Sequence, residues 1–130
     1  MPRKKPTSTI LIADDDRAFG FMLQMTFGRE GVATVYCATG DVVVEEAERN
    51  RPDIAILDHL MPGKRGLDVV RELRSRPEFA ELPIVMVTGM REIALQEELI
   101  AAGADEVIPK PVSPRWLRGR INELLTATAH

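Results

Sequence analysis

Carboxylates, a hydroxyl and an ammonium, the groups that handle phosphate and divalent metal, stand at the ends of apolar runs in this chain. Asp14, Asp15 and Asp16 follow residues 10–13, and Asp58 follows residues 54–57. Thr88 closes the run that begins at residue 84, and Lys110 comes just after Val107 and Ile108. Each residue alone has a local explanation. An acid after a strand caps the next helix, a threonine there bonds to its own backbone, and a lone lysine is a solvated charge. Together they make a different case. Asp14, Asp15 and Asp58 gathered in a partly dry cleft would repel one another strongly, and a cation resolves that conflict. Mg²⁺ suits such a site because it takes oxygen ligands, is usually held by one or two carboxylates and keeps several waters. The metal also neutralises charge that develops on phosphoryl oxygens. Lys110 cancels further negative charge, the Thr88 hydroxyl donates to a phosphate oxygen, and Gly89 leaves room for a bulky group.

Such a gathering requires a fold that brings separate run ends together. Five short apolar runs, at residues 10–13, 32–36, 54–57, 84–87 and 107–108, alternate with helical patterns. The first, third and fourth are continuously apolar, as strands buried on both faces of a parallel sheet are. Phe19, Met22, Leu23 and Phe27 form a helical stripe, with Asp16 as N-cap and Gly31 past its end. A second helix is expected over residues 41–50, with Val43, Val44 and Ala47 inward, and a third over 67–74, with Val69, Val70 and Leu73 inward. The fourth, over residues 91–102, buries Ile93, Leu95, Leu99 and Ile100 and ends at Gly103. The last begins at Ser113 and Pro114 and carries Trp116, Leu117, Ile121, Leu124 and Leu125.

Five strand-then-helix repeats with short connections predict an α/β, flavodoxin-like three-layer sandwich. Its five-stranded parallel sheet has the order 2-1-3-4-5, with five helices around it. Ligands in such sheets bind beyond the carboxyl ends of the strands, which is where the chemistry-bearing residues fall.

Composition narrows the functional classes. A chain of 130 residues with 45% hydrophobic content suits one domain, expected over residues 9–126 with a basic, solvated and disordered arm at 1–8 and a short tail at 127–130. No linker interrupts the pattern, so a second domain is not expected. No apolar run approaches the roughly 20 residues of a membrane span, which makes the cytoplasm the expected location. A net charge of −3 argues against direct nucleic-acid binding. The single Cys37 reads as a small buried hydrophobe, and His59 and His130 are too few for a zinc or relay motif. A nucleotide or flavin site would place a glycine-rich or hydroxyl-rich loop after the first strand, where this chain has three acids.

These residues resemble the response-regulator receiver domains of two-component signalling. The motifs are ILIADDD in the first strand, IAILDHLMPGKRG around the third, IVMVTG in the fourth and IPKP in the fifth, and the likeness runs from about residue 9 to residue 125. The resemblance implies a single-domain receiver like the chemotaxis regulators, with Asp58 as phosphoacceptor. It implies that Asp15 and Asp58 bind Mg²⁺ directly, Asp14 through water, and Leu60 through its backbone carbonyl. Thr88 would contact the phosphoryl oxygens, Lys110 would pair with them, and the Lys110-Pro111 bond would be cis. The implied donor is a sensor histidine kinase or a histidine phosphotransfer protein. The implied output is binding of a downstream protein through the face of the fourth helix, fifth strand and fifth helix. The resemblance also implies that the domain catalyses only its own phosphorylation and dephosphorylation and is not otherwise an enzyme.

Two features bear on how such a domain would work here. Val107 stands where many family members have Tyr or Phe, so a swinging aromatic ring is not the readout, and residues 89–91 are the alternative route. Leu60 and Met90, two residues past Asp58 and Thr88, have no polar atom to orient attacking water, which implies slow autodephosphorylation. The alternative is a receiver-fold interaction module that works without phosphate. The complete set of Asp14, Asp15, Asp58, Thr88 and Lys110 weighs against it, while Val107 keeps it open.

Overall fold

Alternate residues of the same strands feed two separate apolar clusters, and this division explains the layered architecture. In a computed structural model, which describes residues 8–128, Ile10 and Ile12 join one cluster while their neighbours Leu11 and Ala13 join the other. The strands are β1 (Thr9–Ala13), β2 (Ala33–Cys37), β3 (Ile54–Leu57), β4 (Ile84–Thr88) and β5 (Glu106–Pro109). All neighbours pair in parallel, in the order β2-β1-β3-β4-β5. The helices are α1 (Arg17–Gly28), α2 (Val43–Asn50), α3 (Gly66–Arg74), α4 (Ile93–Ala102) and α5 (Pro114–Thr128). The expected fold class is thus the observed one. The expected arm and tail lie outside the described residues over 1–7 and 129–130, whereas residues 127–128, expected in the tail, continue α5.

Helices α2, α3 and α4 cover one face through Val43, Val44, Ala47, Val69, Val70, Leu73 and Leu99, whereas α1 and α5 cover the other through Leu23, Phe27, Leu117 and Ile121. The three central strands are fully enclosed apart from the first residue of β1, as their unbroken apolar composition demands. Each fully buried large aliphatic side chain contributes roughly 1.5–3 kcal/mol, so the sheet is the rigid part of the molecule.

Several helix positions differ from expectation. Met22 is exposed and Phe19 only half-buried, because the inward stripe of α1 is carried by Gly20, Leu23 and Phe27. On α4 only Leu99 is fully buried. Ile93 is 73% exposed and Ile100 48%, since that helix packs along one narrow edge. Trp116 is likewise 54% exposed. Helix α2 starts two residues later than expected, after a 3-10 turn at Gly40–Val42, and α4 starts at Ile93. The caps behave as expected at Asp16, whose Oδ1 accepts the Phe19 N–H at 3.1 Å, and at Ser113, whose hydroxyl accepts the Trp116 N–H at 3.2 Å.

A guanidinium secures the far end of β4. Arg74 donates to the carbonyls of Gly103 and Phe79 and to Asp105, and Asp105 in turn accepts the Ile84 N–H at 2.8 Å. This joins the end of α3 to the start of β4 and therefore helps hold the register that delivers Thr88 to the opposite end.

Candidate functional site: an acidic pocket at the strand tips

Backbone hydrogen bonds between neighbouring strands set the height of each tip. Asp58 N–H donates to the Ala13 carbonyl at 2.9 Å, Asp14 N–H to the Cys37 carbonyl at 3.0 Å, and Lys110 N–H to the Thr88 carbonyl at 2.9 Å. Asp14, Asp58, Thr88 and Lys110 therefore end their strands at one rim. Carboxylate oxygens of Asp14, Asp15 and Asp58 all lie within 4.8 Å of one another, a donor set that could hold a metal ion. Asp14 and Asp58 are buried and Asp15 is exposed, so the cluster opens to solvent on one side.

Lys110 closes the other side. Its Nζ stands 2.8 Å from Asp14 Oδ2 and 3.3 Å from Asp58 Oδ2. Three carboxylates against one ammonium leave two uncompensated negative charges, the deficit that a divalent cation removes. Burial raises the Asp14 carboxyl above its ordinary value, even though the Lys110 hydrogen bond and the Asp16 N–H at 2.9 Å pull the other way. Burial alone would lower the Lys110 ammonium, but the hydrogen bond and charge of Asp14, joined by Asp58, outweigh it and raise it.

The remaining members are equally placed. Thr88 is buried at the end of β4, and its hydroxyl oxygen accepts the Met90 N–H at 3.2 Å, which leaves the hydroxyl proton free to turn toward an incoming oxygen. Asp58 Oδ1 accepts the His59 N–H at 2.7 Å. Leu60 lies in the loop after β3 and is 44% exposed. That loop is tightly tied: Gly66 N–H donates to the His59 carbonyl at 2.8 Å, and Gly40 N–H to the Pro62 carbonyl at 2.9 Å. Glycine is required at 66, where a Cβ would come within 2.4 Å of the Asp58 carbonyl oxygen. The Lys110-Pro111 peptide bond is cis.

His59 is structural. It is buried, its Nδ1 accepts the Leu67 N–H at 3.3 Å, and burial followed by the Arg65 charge lowers its pKa. Asp16 caps α1, as expected, and is not one of the three clustered acids. Arg118 and Arg120 on α5 are engaged within the chain, with Glu30 and with Glu106 and Glu123.

Two contributors escape a reading of the sequence. The Tyr36 hydroxyl donates to the Asp14 backbone carbonyl, and its ring fits only because Gly20 has no Cβ, which would stand 2.3 Å from a ring carbon. Phe19 presents its ring to the Lys110 ammonium, 5.0 Å from Nζ to the centroid. Tyr36 lay in a run assigned to a strand and Phe19 in a stripe assigned to the core, and both contacts cross between elements. Only the unusual glycine at position 20, inside a helix, was a visible signal.

Comparison with known proteins agrees with this geometry. The response regulator receiver domain family matches residues 10–122. The chain is similar to the phosphate regulon transcriptional regulatory protein PhoB of Rhizobium meliloti (33% identical over 116 residues, 89% of this chain and 51% of that protein). It is also similar to the response regulator MprA of Mycobacterium leprae (36% over 119 residues, 92% and 51%). It thus spans about half the length of these curated relatives. Among solved structures, a CheY-like receiver domain protein from Methanospirillum hungatei superposes with a TM-score of 0.87 at 28% identity, covering 93% of this chain and 95% of that one. The BeF3-activated N-terminal receiver domain of Klebsiella pneumoniae RstA gives 0.83 at 28%, covering 91% and 98%.

Proposed function

Given that the chain belongs to the response-regulator receiver family, we propose that Asp58 accepts a phosphoryl group from a phosphohistidine of a sensor kinase or phosphotransfer protein and that the domain signals by binding a partner. The observation that carries this reading is the meeting of Asp14, Asp15 and Asp58 oxygens within 4.8 Å beside the Lys110 ammonium. A carboxylate oxygen of Asp58 attacks phosphorus, the P–N bond of the donor breaks as the O–P bond forms, and the departing imidazole takes a proton from solvent. Lys110 exchanges its Asp58 contact for the arriving phosphoryl oxygens, and the Thr88 hydroxyl donates to another. Later attack by water restores the carboxylate and releases inorganic phosphate.

Asp15 and Asp58 would hold Mg²⁺ directly, with Asp14 acting through water and Leu60 through its backbone carbonyl. Bound there, Mg²⁺ supplies positive charge against the oxygens of the transition state. The hard oxygen donors and their two uncompensated charges support this ion. Phosphorylation adds about 1.5 to 2 negative charges next to Thr88 and biases a two-state equilibrium of the loop that follows it.

Output through α4, β5 and α5 is supported by the exposed Ile93, Ile100 and Trp116 on that side. Action in the cytoplasm is the reading that membership of the receiver family supports; among the described residues no helix is long and apolar enough to cross a membrane. A second reading, a receiver-fold module that works without phosphate, is favoured by one observation: position 107 is a partly buried valine packed into the core, with no ring to move. Incubation with Mg²⁺ and acetyl phosphate, followed by intact mass, separates the two. Gain of one phosphoryl by the native chain and none by Asp58→Asn is expected, and equal masses in both would leave only the second reading.

A further inference from the structure

We infer that Phe19 is a positioning residue for Lys110, holding the ammonium over the acidic pocket through the face of its ring. The inference rests on the phosphoacceptor reading above and adds a residue to it. A lysine side chain is flexible, and ordering it costs about as much entropy as any side chain loses. An ammonium has three donor directions, and here two are taken by Asp14 Oδ2 at 2.8 Å and Asp58 Oδ2 at 3.3 Å. The Phe19 centroid lies 5.0 Å from Nζ, inside the range of roughly 6 Å over which a ring quadrupole attracts a cation.

The ring is itself well anchored. Phe19 lies in the first turn of α1, its N–H is fixed by the Asp16 cap at 3.1 Å, and its side chain is half-buried against the cluster that joins α1 to α5. A restraint is needed because Lys110 borders an open crevice of about 340 Å³ lined by Asp16, Phe19, Pro111 and Val112. Without the ring, the four-carbon stem is free to swing into that space.

The chemistry of the restraint matters. When Asp58 becomes a mixed anhydride, Lys110 must leave Asp58 Oδ2 for the new phosphoryl oxygens while remaining in the pocket. A third carboxylate at position 19 would hold the ammonium but compete with the phosphoryl group for it. An aromatic face attracts the cation without neutralising it, so the ammonium stays both localised and available.

The test uses the full chain and two variants, Phe19→Leu, which keeps apolar bulk, and Phe19→Tyr, which keeps the ring. In metal-free protein the Lys110 Cε protons are expected upfield by ring current in the native chain and in Phe19→Tyr, and near random-coil values in Phe19→Leu. With Mg²⁺ and acetyl phosphate, Phe19→Leu is expected to be phosphorylated about three- to tenfold more slowly, with the rate restored in Phe19→Tyr. Mg²⁺ affinity and melting temperature should not follow the rate. A native rate in Phe19→Leu, or an equal loss in both variants, would overturn the inference. If the native chain accepts no phosphate, the phosphoacceptor reading fails, and the Lys110 shifts alone then decide: unmoved in Phe19→Leu, they overturn the role given to Phe19.

Discussion

Ninety-six positions along the chain separate Asp14 from Lys110, yet Lys110 Nζ stands 2.8 Å from Asp14 Oδ2. The contact exists because β1 lies near the middle of a parallel sheet whose strands all end at the same rim, and because β5 delivers its lysine one residue past the last paired position. It is also provisional. The ammonium offsets only part of the charge of Asp14, Asp15 and Asp58, and the same oxygens suit a metal ion.

Lys110→Ala separates the two roles of that lysine. Metal-free stability should fall by about 1–3 kcal/mol, because a largely buried pair loses one partner and Asp14 is left uncompensated. Mg²⁺ affinity should rise, since a competing cation has gone, while phosphorylation by acetyl phosphate slows by at least about tenfold for want of a charge on the phosphoryl oxygens. Urea denaturation, Mg²⁺ titration by calorimetry and intact mass report the three quantities.

Gly66→Ala tests the backing of Asp58, the proposed acceptor. The added methyl would lie 2.4 Å from the Asp58 carbonyl oxygen and 2.8 Å from His59 Cα, both backbone atoms that cannot step aside alone. A loss of about 1–3 kcal/mol in urea unfolding is expected, together with weaker Mg²⁺ binding, because the displaced loop carries Leu60.

Leu60→Asn combined with Met90→Glu should shorten the life of the phosphorylated form by about tenfold or more, since both supply polar atoms able to orient water. Leu60 is half-exposed two residues past Asp58, and Met90 is tied to Thr88 by its own N–H. Decay is followed by intact mass after the donor is removed. Native protein that decays as fast as the double variant would refute the expectation of a long-lived phosphoryl group.

Cys37 gives a pH-dependent signal apart from the pocket. Burial, aided by the Glu46 charge, pushes its thiol up to about 11 from 9.0. The folded chain therefore keeps a proton that the unfolded chain releases first, so this contribution is complete below pH 9 and is lost as pH rises toward 11. Native protein should lose up to about 2–3 kcal/mol more than Cys37→Ala over that window in urea unfolding. Labelling of the native thiol at pH 8 by a disulfide reagent should be slow and should become fast in denaturant.

The site was legible because its members end continuous apolar runs, and a strand buried on both faces has few other sequence forms. Asp14, Asp58, Thr88 and Lys110 could be placed on one rim once the parallel order was inferred. Helix burial was less legible. Met22, Ile93, Ile100 and Trp116 have the same apolar character as core residues, and periodicity alone does not tell a packed stripe from an exposed one beside it. The parts played by Phe19, Tyr36 and Gly66 were not visible, since each depends on an approach between elements that no local spacing encodes.

The most direct measurement locates the phosphoryl group chemically. Native chain is treated with acetyl phosphate, with and without Mg²⁺, then reduced with borohydride, which converts an aspartyl phosphate to homoserine, and the peptides are sequenced by mass spectrometry. Homoserine at position 58 alone, and only when Mg²⁺ is present, is the predicted result. Homoserine at Asp14 or Asp15, or an unchanged position 58 with Mg²⁺ in excess, would contradict the account.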